Sequence, residues 1–525
     1  MRPSLRSLSL LASCLCTPLL AVAQDSLLLK DTRFVTGVKM ETVGDNIVIH
    51  FPHGDIAIPR SLVKESHIKG EAVDASLSDE DKSKLDQGLV KFDGKWMQVA
   101  ERDKLLQKRT ADREARIREA MAHRDWKNRY TLNTENFAFE YTIDPEVMKS
   151  FADQMEVYFK TFTKEWGIKK PPKLGRLKVC FYHDQDYFQQ VSGAGQGVAG
   201  YFRFVEPLEL NFYYDRLDLD FTREVMFHET NHYLTQLIDT KFKYPLWVNE
   251  SLGEYYGASK WDQKAKKMSI GHIQEGRLAE VQDAIAEGRW QGLEQLINMT
   301  REEFGSEQYA WGWTLMHWLL ENPKTEKKLK DFYMALARDK SVQREIDQIQ
   351  FKQVKPVDQI ELFKKYMDFK DLKEVEKAWH EYVKGLQPSS GRGYYEAGRI
   401  AIGSNAPLKA QRMLKIALEK GFHNPQVYAT LSRAQWLKDQ NDEAIESMKK
   451  ALELDPLNAE YYLGLARAQG GTGYRIGEET SPEARRSQWL ALEVARATND
   501  PAEYAILIDL GPDFTKPDPA LPPAK

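Results

Sequence analysis

His228-Glu229-Thr230-Asn231-His232 sets two imidazoles four residues apart, with a carboxylate directly after the first. On a helix, residues i and i+4 project from one face a turn apart. The surrounding segment, Phe221 to Ile238, has helical spacing and no glycine or proline, and Asp220 or Thr222 is placed to cap it. Two imidazoles so arranged can reach one zinc ion, and Glu229 then stands beside the coordination position left for water. The same pair can also sit on a helix that holds no metal.

A third ligand follows after a short break, in Pro245-Leu246-Trp247-Val248-Asn249-Glu250-Ser251-Leu252-Gly253-Glu254-Tyr255-Tyr256. Proline suits the first position of a helix. Glu250 on that second helix offers a carboxylate from the opposite side of the metal. Glu254 lies one turn further along the same face. It either accepts the remaining N–H of a ligand imidazole, fixing its tautomer, or is an exposed helix charge.

The pair of motifs H-E-x-x-H and W-x-x-E-x-x-x-E-Y resembles the gluzincin metallopeptidases. It is most similar to the peptidase MA-like branch of exported bacterial proteins, in which a proline precedes W-x-x-E-G-x-A-E-Y. Here Ser251 stands where glycine is usual and Gly253 where alanine is usual. Seventeen residues separate His232 from Glu250, about one fewer than in aminopeptidase-type gluzincins. The resemblance covers roughly residues 135–340. It implies one more residue. Tyr309, in Tyr309-Ala310-Trp311-Gly312, matches the segment that supplies a transition-state tyrosine in those enzymes; alternatively it begins an aromatic core helix with Trp313 and His317. The resemblance thus implies metal-assisted peptide hydrolysis. His228, His232 and Glu250 hold Zn²⁺, Glu229 is the general base, and Tyr309 donates to the oxyanion. The segment Leu208 to Tyr213 is expected to align an extended peptide by strand addition.

These residues need a scaffold, and the rest of the chain has room for one. It has 525 residues, 42% hydrophobic and 29% charged, the balance of a globular multidomain protein. The expected class is multidomain α+β. Residues 1–23 read as a signal peptide: Arg2 and Arg6, an apolar run from Leu8 to Ala21, and the small-x-small site Ala21-Val22-Ala23. Cys14, in Leu11-Ala12-Ser13-Cys14, offers a lipid-anchored alternative. Residues 24–100 read as a small β-rich domain, with strands at 45–50 and 54–58 and a turn at Asp93-Gly94. The charges of 101–129 suit a solvated helical linker. Residues 130–388 form the metallopeptidase-like region, with strands at 137–141, 177–182 and 208–213, a helix over 145–165, and a turn through the glycines 193–200. Cys180 reads as a small buried hydrophobe.

Residues 389–500 repeat. A shift of 34 superposes Tyr394, Tyr428 and Tyr462, and Ala410 and Ala417 on Ala444 and Ala451. This resembles the tetratricopeptide repeat, whose units stack because one alone cannot bury its apolar face. The third copy departs at Glu478, with an insertion at Gly470-Gly471-Thr472-Gly473 and a delayed second helix over 481–498. The repeats are either a peptide-binding groove or a packing module. The tail, 501–525, is proline-rich and expected to be disordered from 511.

The expected partners are a peptide or protein substrate and a protein partner at the repeats. A formal net charge of −4 gives no support to nucleic-acid binding, and no apolar run beyond the leader is long enough to span a membrane. The expected location is secreted or periplasmic. Two alternatives stand beside the peptidase: a zinc hydrolase of non-peptide substrates, and a catalytically silent scaffold whose repeats bind partners.

Overall fold

The structure, a computed structural model, describes residues 25–68, 78–92, 94–172, 174–216, 218–239, 244–338, 346–347, 352–353, 359–471, 473–475, 481–498, 500, 502–516 and 518–519. The leader 1–23 with Cys14, Asp93, Thr472, Glu478 and the end of the tail lie outside the described residues. The chain divides into two compact units: residues up to Phe51 with Asp55–Arg113, and Pro52–Gly54 with Glu114 onward.

The smaller unit is β-rich. Strands β1 (Ser26–Leu29), β2 (Phe34–Thr36), β3 (Lys39–Val43), β4 (Asn46–Phe51), β5 (Gly54–Pro59) and β6 (Val63–His67) form two three-stranded sheets, ordered β2-β1-β6 and β3-β4-β5. In β4 the side chains of Ile47, Ile49 and Phe51 are buried and those between them are not, the two-residue period of a half-buried strand. Helix α1 (Asp79–Asp86) and the hairpin β7 (Leu89–Phe92) and β8 (Lys95–Gln98) follow. The charged segment forms α2 (Val99–His123), exposed along most of its length, which carries the chain from the first unit into the second.

The larger unit starts with β9 (Tyr130–Asn133), β10 (Phe137–Tyr141) and α3 (Pro145–Glu165). Asp144 caps α3 by accepting from the N–H groups of Glu146 and Val147, and Pro145 takes the first turn. Met148, Phe151, Ala152, Met155, Tyr158, Phe159 and Phe162 bury one face of it against the sheet. Next come β11 (Leu177–Tyr182), α4 (Gln185–Ser192), β12 (Gly200–Arg203) and β13 (Glu209–Tyr213). The sheet order is β12-β13-β11-β10-β9. β10, β11 and β13 run parallel, with Phe137 opposite Leu177 and Val179 opposite Leu210; β9 and β12 are antiparallel edges.

The sheet corrects one expectation. The strand at 208–213 is flanked on both sides and wholly buried, so it has no free edge to offer a peptide. The edge beside it is β12, begun by Gly200 inside the glycine-rich segment expected to be only a turn.

Helices follow: α5 (Leu219–Gln236), α6 (Leu246–Gly257), α7 (Glu275–Ala286), α8 (Leu293–Asn298), α9 (Ser306–Leu320), α10 (Glu326–Arg338), α11 (Gln359–Met367) and α12 (Leu372–Gly385). Their apolar faces share one core with the sheet, centred on Trp247, Trp311, Phe227 and Tyr256. Three helix pairs then span the repeat region: α13 (Gly391–Gly403) with α14 (Pro407–Glu419), α15 (Pro425–Trp436) with α16 (Asn441–Leu454), and α17 (Ala459–Gly470) with α18 (Pro482–Ala497). Ala410, Ala417, Ala444 and Ala451, matched by the 34-residue shift, are all buried where paired helices meet.

The tail is the second correction. It continues as α19 (Ala502–Leu510), with Ile506, Leu507, Ile508 and Leu510 buried, and a short turn over Pro512–Thr515 seats Phe514 against Trp489 at 4.8 Å. An apolar run in 505–514 outweighs the flanking prolines. No helix of the described residues is long and apolar enough to cross a membrane.

Candidate metal centre

α5 presents His228 and His232 one turn apart, their ring centroids 4.9 Å from each other and nearly perpendicular. The helix is capped by Asp218, which accepts from the Phe221 N–H, and not by the two residues favoured from sequence. Asp220 pairs with Arg223, and the Thr222 hydroxyl accepts from the Asp215 N–H. Both are engaged in other bonds, and Asp218 stands at the N-cap with its carboxylate turned to the first turn. The α5 backbone is fixed further along by the Asn231 amide, which donates to the buried Tyr158 hydroxyl at 2.9 Å.

α6 starts after Pro245 and brings Glu250 between the two imidazoles. One Glu250 carboxylate oxygen lies 3.2 Å from His228 Nε2 and 3.6 Å from His232 Nε2. His228, Glu229 and His232 also offer ligand atoms within 4.8 Å of one another. Glu254 is not an exposed charge: it is 6% exposed, its carboxylate 3.5 Å from His228 Nδ1 and gripped by the Arg277 guanidinium through two bonds of 2.8 Å. The Asn249 amide lies 2.9 Å from His232 Nδ1. Both imidazoles are thus held on their Nδ1 side and turn Nε2 toward Glu250.

This donor set fits a metal ion. Ligand atoms at 2.0–2.2 Å from a tetrahedral cation stand about 3.4 Å apart, and the two N···O separations bracket that value. The charge balance agrees: Glu229, Glu250 and Glu254 crowd two imidazoles. Burial alone would lower the His228 imidazole, but its bonds to Glu250 and Glu254 and the charge of Glu229 outweigh burial and push it up to about 10. Burial would raise Glu250, yet His232 and His228 hold it well below the usual carboxylate range. Glu254, likewise raised by burial, is brought down to about 2 by Arg277 and His228. A site whose imidazole is drawn to the cationic form by surrounding carboxylates is one that favours a cation.

Close packing makes the arrangement specific. A Cβ on Gly253 would lie 2.9 Å from His228 Cε1, so glycine at this position admits the ring. Ser251 is matched by Gly312 on α9, whose Cβ would meet Ser251 Oγ at 2.1 Å. Gly200 on the edge strand serves the same end: its Cβ would lie 2.8 Å from Val225 and 3.2 Å from Glu229 Cγ. β12 therefore passes directly beside the Glu229 side chain.

Tyr309 lies on the first turns of α9, its ring 6.2 Å from that of His228 and 5.1 Å from Phe304, beneath the Arg277 guanidinium. Burial and the Glu250 carboxylate raise its phenol well above the usual range, so it is a proton-bearing donor at neutral pH. Its helix neighbours Trp313 and His317 point into the core, where His317 Nδ1 meets the Tyr382 hydroxyl at 2.7 Å. Arg301 was not foreseen. Its guanidinium, two-thirds exposed, donates to the outer oxygen of Glu250 at 3.0 Å. Neither Arg301 nor Arg277 belongs to a spaced motif, and only the folded chain reveals them.

A second group, His183, Asp184 and Asp509, also brings ligand atoms within 4.8 Å. Its groups are already engaged: Arg216 pairs with Asp509, Asp184 caps α4, and His183 Nδ1 meets the Thr142 hydroxyl.

Two helices set two imidazoles and a carboxylate around one point, with a second carboxylate beside them, a histidine–carboxylate group that could hold a metal ion. A family model described as "Protein of unknown function (DUF1570)" matches residues 225–343, a span that starts within α5 and holds every residue of this site. No curated protein and no solved structure matches the chain.

Proposed function

We propose that this chain is an exported zinc metallopeptidase of the gluzincin type, similar to the peptidase MA-like branch. One observation supports this above all: Glu250 from α6 converges on the Nε2 atoms of both histidines of the H-E-x-x-H helix. His228, His232 and Glu250 would hold the ion, with His228 Nδ1 protonated toward Glu254 and the Asn249 amide nitrogen beside His232 Nδ1. Zinc in such a site supplies a bound water with a pKa near 7 and polarises a carbonyl.

The chain's own residues do the rest. Glu229 takes the proton of the attacking water and delivers it to the departing amine. Tyr309 donates to the oxygen that gains negative charge, in a site whose burial strengthens the bond. β12, not the strand at 208–213, is the edge on which an extended substrate would add, with Gly200 bringing its backbone to Glu229. Export rests on residues 1–23, with lipid attachment at Cys14 the alternative route to the envelope.

The test is metal content by elemental analysis, followed by a peptide-cleavage screen. About one zinc per chain is expected, lost in a His228→Ala/His232→Ala double variant. Glu229→Gln should keep the zinc and lose cleavage. Zinc-binding protein that cleaves esters but no peptide would favour the non-peptide hydrolase. Absence of metal after zinc is offered would return the weight to a scaffold.

A further inference from the structure

The first repeat pair, α13 and α14, is built against the helices that carry the metal centre. Gly276 on α7 and Gly393 on α13 make a reciprocal close contact: their Cβ atoms would lie 2.9 Å from Ile400 and 3.1 Å from the Glu275 carbonyl. Gly403, at the end of α13, leaves room for the Phe221 ring of α5, which a Cβ would strike at 2.4 Å. Ala279, Ala397 and Met413 fill the space between α7, α13 and α14. Backbones approach this closely only where the surfaces are shaped for one another.

Charge follows the same contacts. From α14, Lys409 donates to Glu280, and the other Glu280 oxygen accepts from Arg277 at 2.8 Å. Arg277 holds Glu254 by two bonds, and Glu254 faces His228 Nδ1. Lys409–Glu280–Arg277–Glu254–His228 is therefore an unbroken line of alternating charges, with Glu254, Arg277 and Glu280 all buried. A second line runs from α13. Arg399 donates to Glu224 at 2.8 Å and to the capping residue Asp218 at 3.3 Å. Glu224 stands one turn before His228 on the same face of α5. Thirty-four residues after Arg399, Arg433 holds Asp215 at 2.9 Å, so successive repeats use the same position to grip the chain just before and along α5.

We infer that the repeat module binds this chain's own carboxylates Asp215, Asp218 and Glu224, and that Arg399 and Lys409 are positioning residues that hold the metal-bearing helix and the Glu254 carboxylate in place. Arg399 and Arg433 take acidic partners, and those partners are supplied in cis. This inference rests on the metal reading proposed above.

The experiment is zinc affinity of the full chain by chelator competition, with the melting temperature of each metal-free variant measured beside it. Lys409→Met and Arg399→Gln should each weaken zinc binding by about threefold to tenfold, at or below the low end of the 10–100-fold loss seen when a direct partner of a ligand is removed. Lys415→Met, an exposed lysine on the same α14, should bind as the wild type does. Unchanged zinc affinity in both Lys409→Met and Arg399→Gln, even with lowered melting temperatures, would show a packing role only and overturn the inference. Failure of the wild type itself to bind zinc would instead remove the metal reading, and this inference with it.

Discussion

The chemistry of the site depends on side chains that are small as much as on those that are charged. Gly253 is the clearest case. With a Cβ 2.9 Å from the His228 ring, Gly253→Ala should push the imidazole off the position it shares with Glu250. The expected result is zinc affinity at least tenfold weaker, and a loss of about 1–3 kcal/mol in stability from overpacking, both readable by competition titration and denaturant unfolding. The spacing of His228, Glu229 and His232 was legible because helical geometry ties four residues to one turn, and Glu250 was legible from the helix after Pro245. Glu254 stayed open until its burial against Arg277 was seen. Arg277, Arg301 and Asn249 could not be read at all, since their roles arise from contacts between helices far apart in sequence.

At the scale of elements, the sheet gives the clearest lesson. The strands at 137–141 and 177–182 announce themselves by apolar runs and alternation, and they are where the pattern places them. β12 does not: four residues, all half-buried, begun by a glycine in a segment rich in them. Its identity as an edge comes from pairing with β13, a long-range fact that no local pattern contains. The function proposed for it has its own test. Peptide substrates N-methylated at alternate backbone positions near the scissile bond should lose several-fold to tenfold in kcat/KM, about 0.5–1.5 kcal/mol for each hydrogen bond removed. Equal cleavage of methylated and unmethylated peptides would exclude strand addition at this edge. The helical repeats were legible from their 34-residue period because the same small residues must recur where paired helices meet. The same shift also relates Arg399 and Arg433, a signal of binding rather than packing that becomes meaningful only with Glu224 and Asp215 opposite them.

Across the larger unit, buried carboxylates before α5 and on α19 make stability depend on pH. Burial raises Asp218 to about 7 against the pull of Arg399, with Asp215 and Glu224 adding to the rise. Burial likewise raises Asp509 to about 8 despite Arg216. A carboxyl whose pKa is higher folded than unfolded stabilises the fold most below its unfolded value, near 3.8, and that contribution is lost as pH rises through the folded value. Glu250 and Glu254 act with the opposite sign below about pH 4.5, and His183, lowered to about 4 by burial, does so up to about pH 6.5, whereas His228, raised to about 10, adds to the decline above that. In chelator, the melting temperature should therefore decline between pH 5 and 8, by about 2–4 °C for each kcal/mol lost. Asp218→Asn, which keeps an acceptor for the Phe221 N–H, should decline less; an identical slope in the variant would show that Asp218 is ionised throughout.

The brace has a consequence in time. Arg399 follows its partner Glu224 by 175 residues, and Lys409 follows Glu280 by 129. A chain made from its N-terminus at about 5–20 residues per second presents both histidines many seconds before the helices that steady them exist. Helices made well after the ligands are thus the ones that finish the centre, and on this inference a chain cut short before α14 would carry every ligand yet lack part of what holds them.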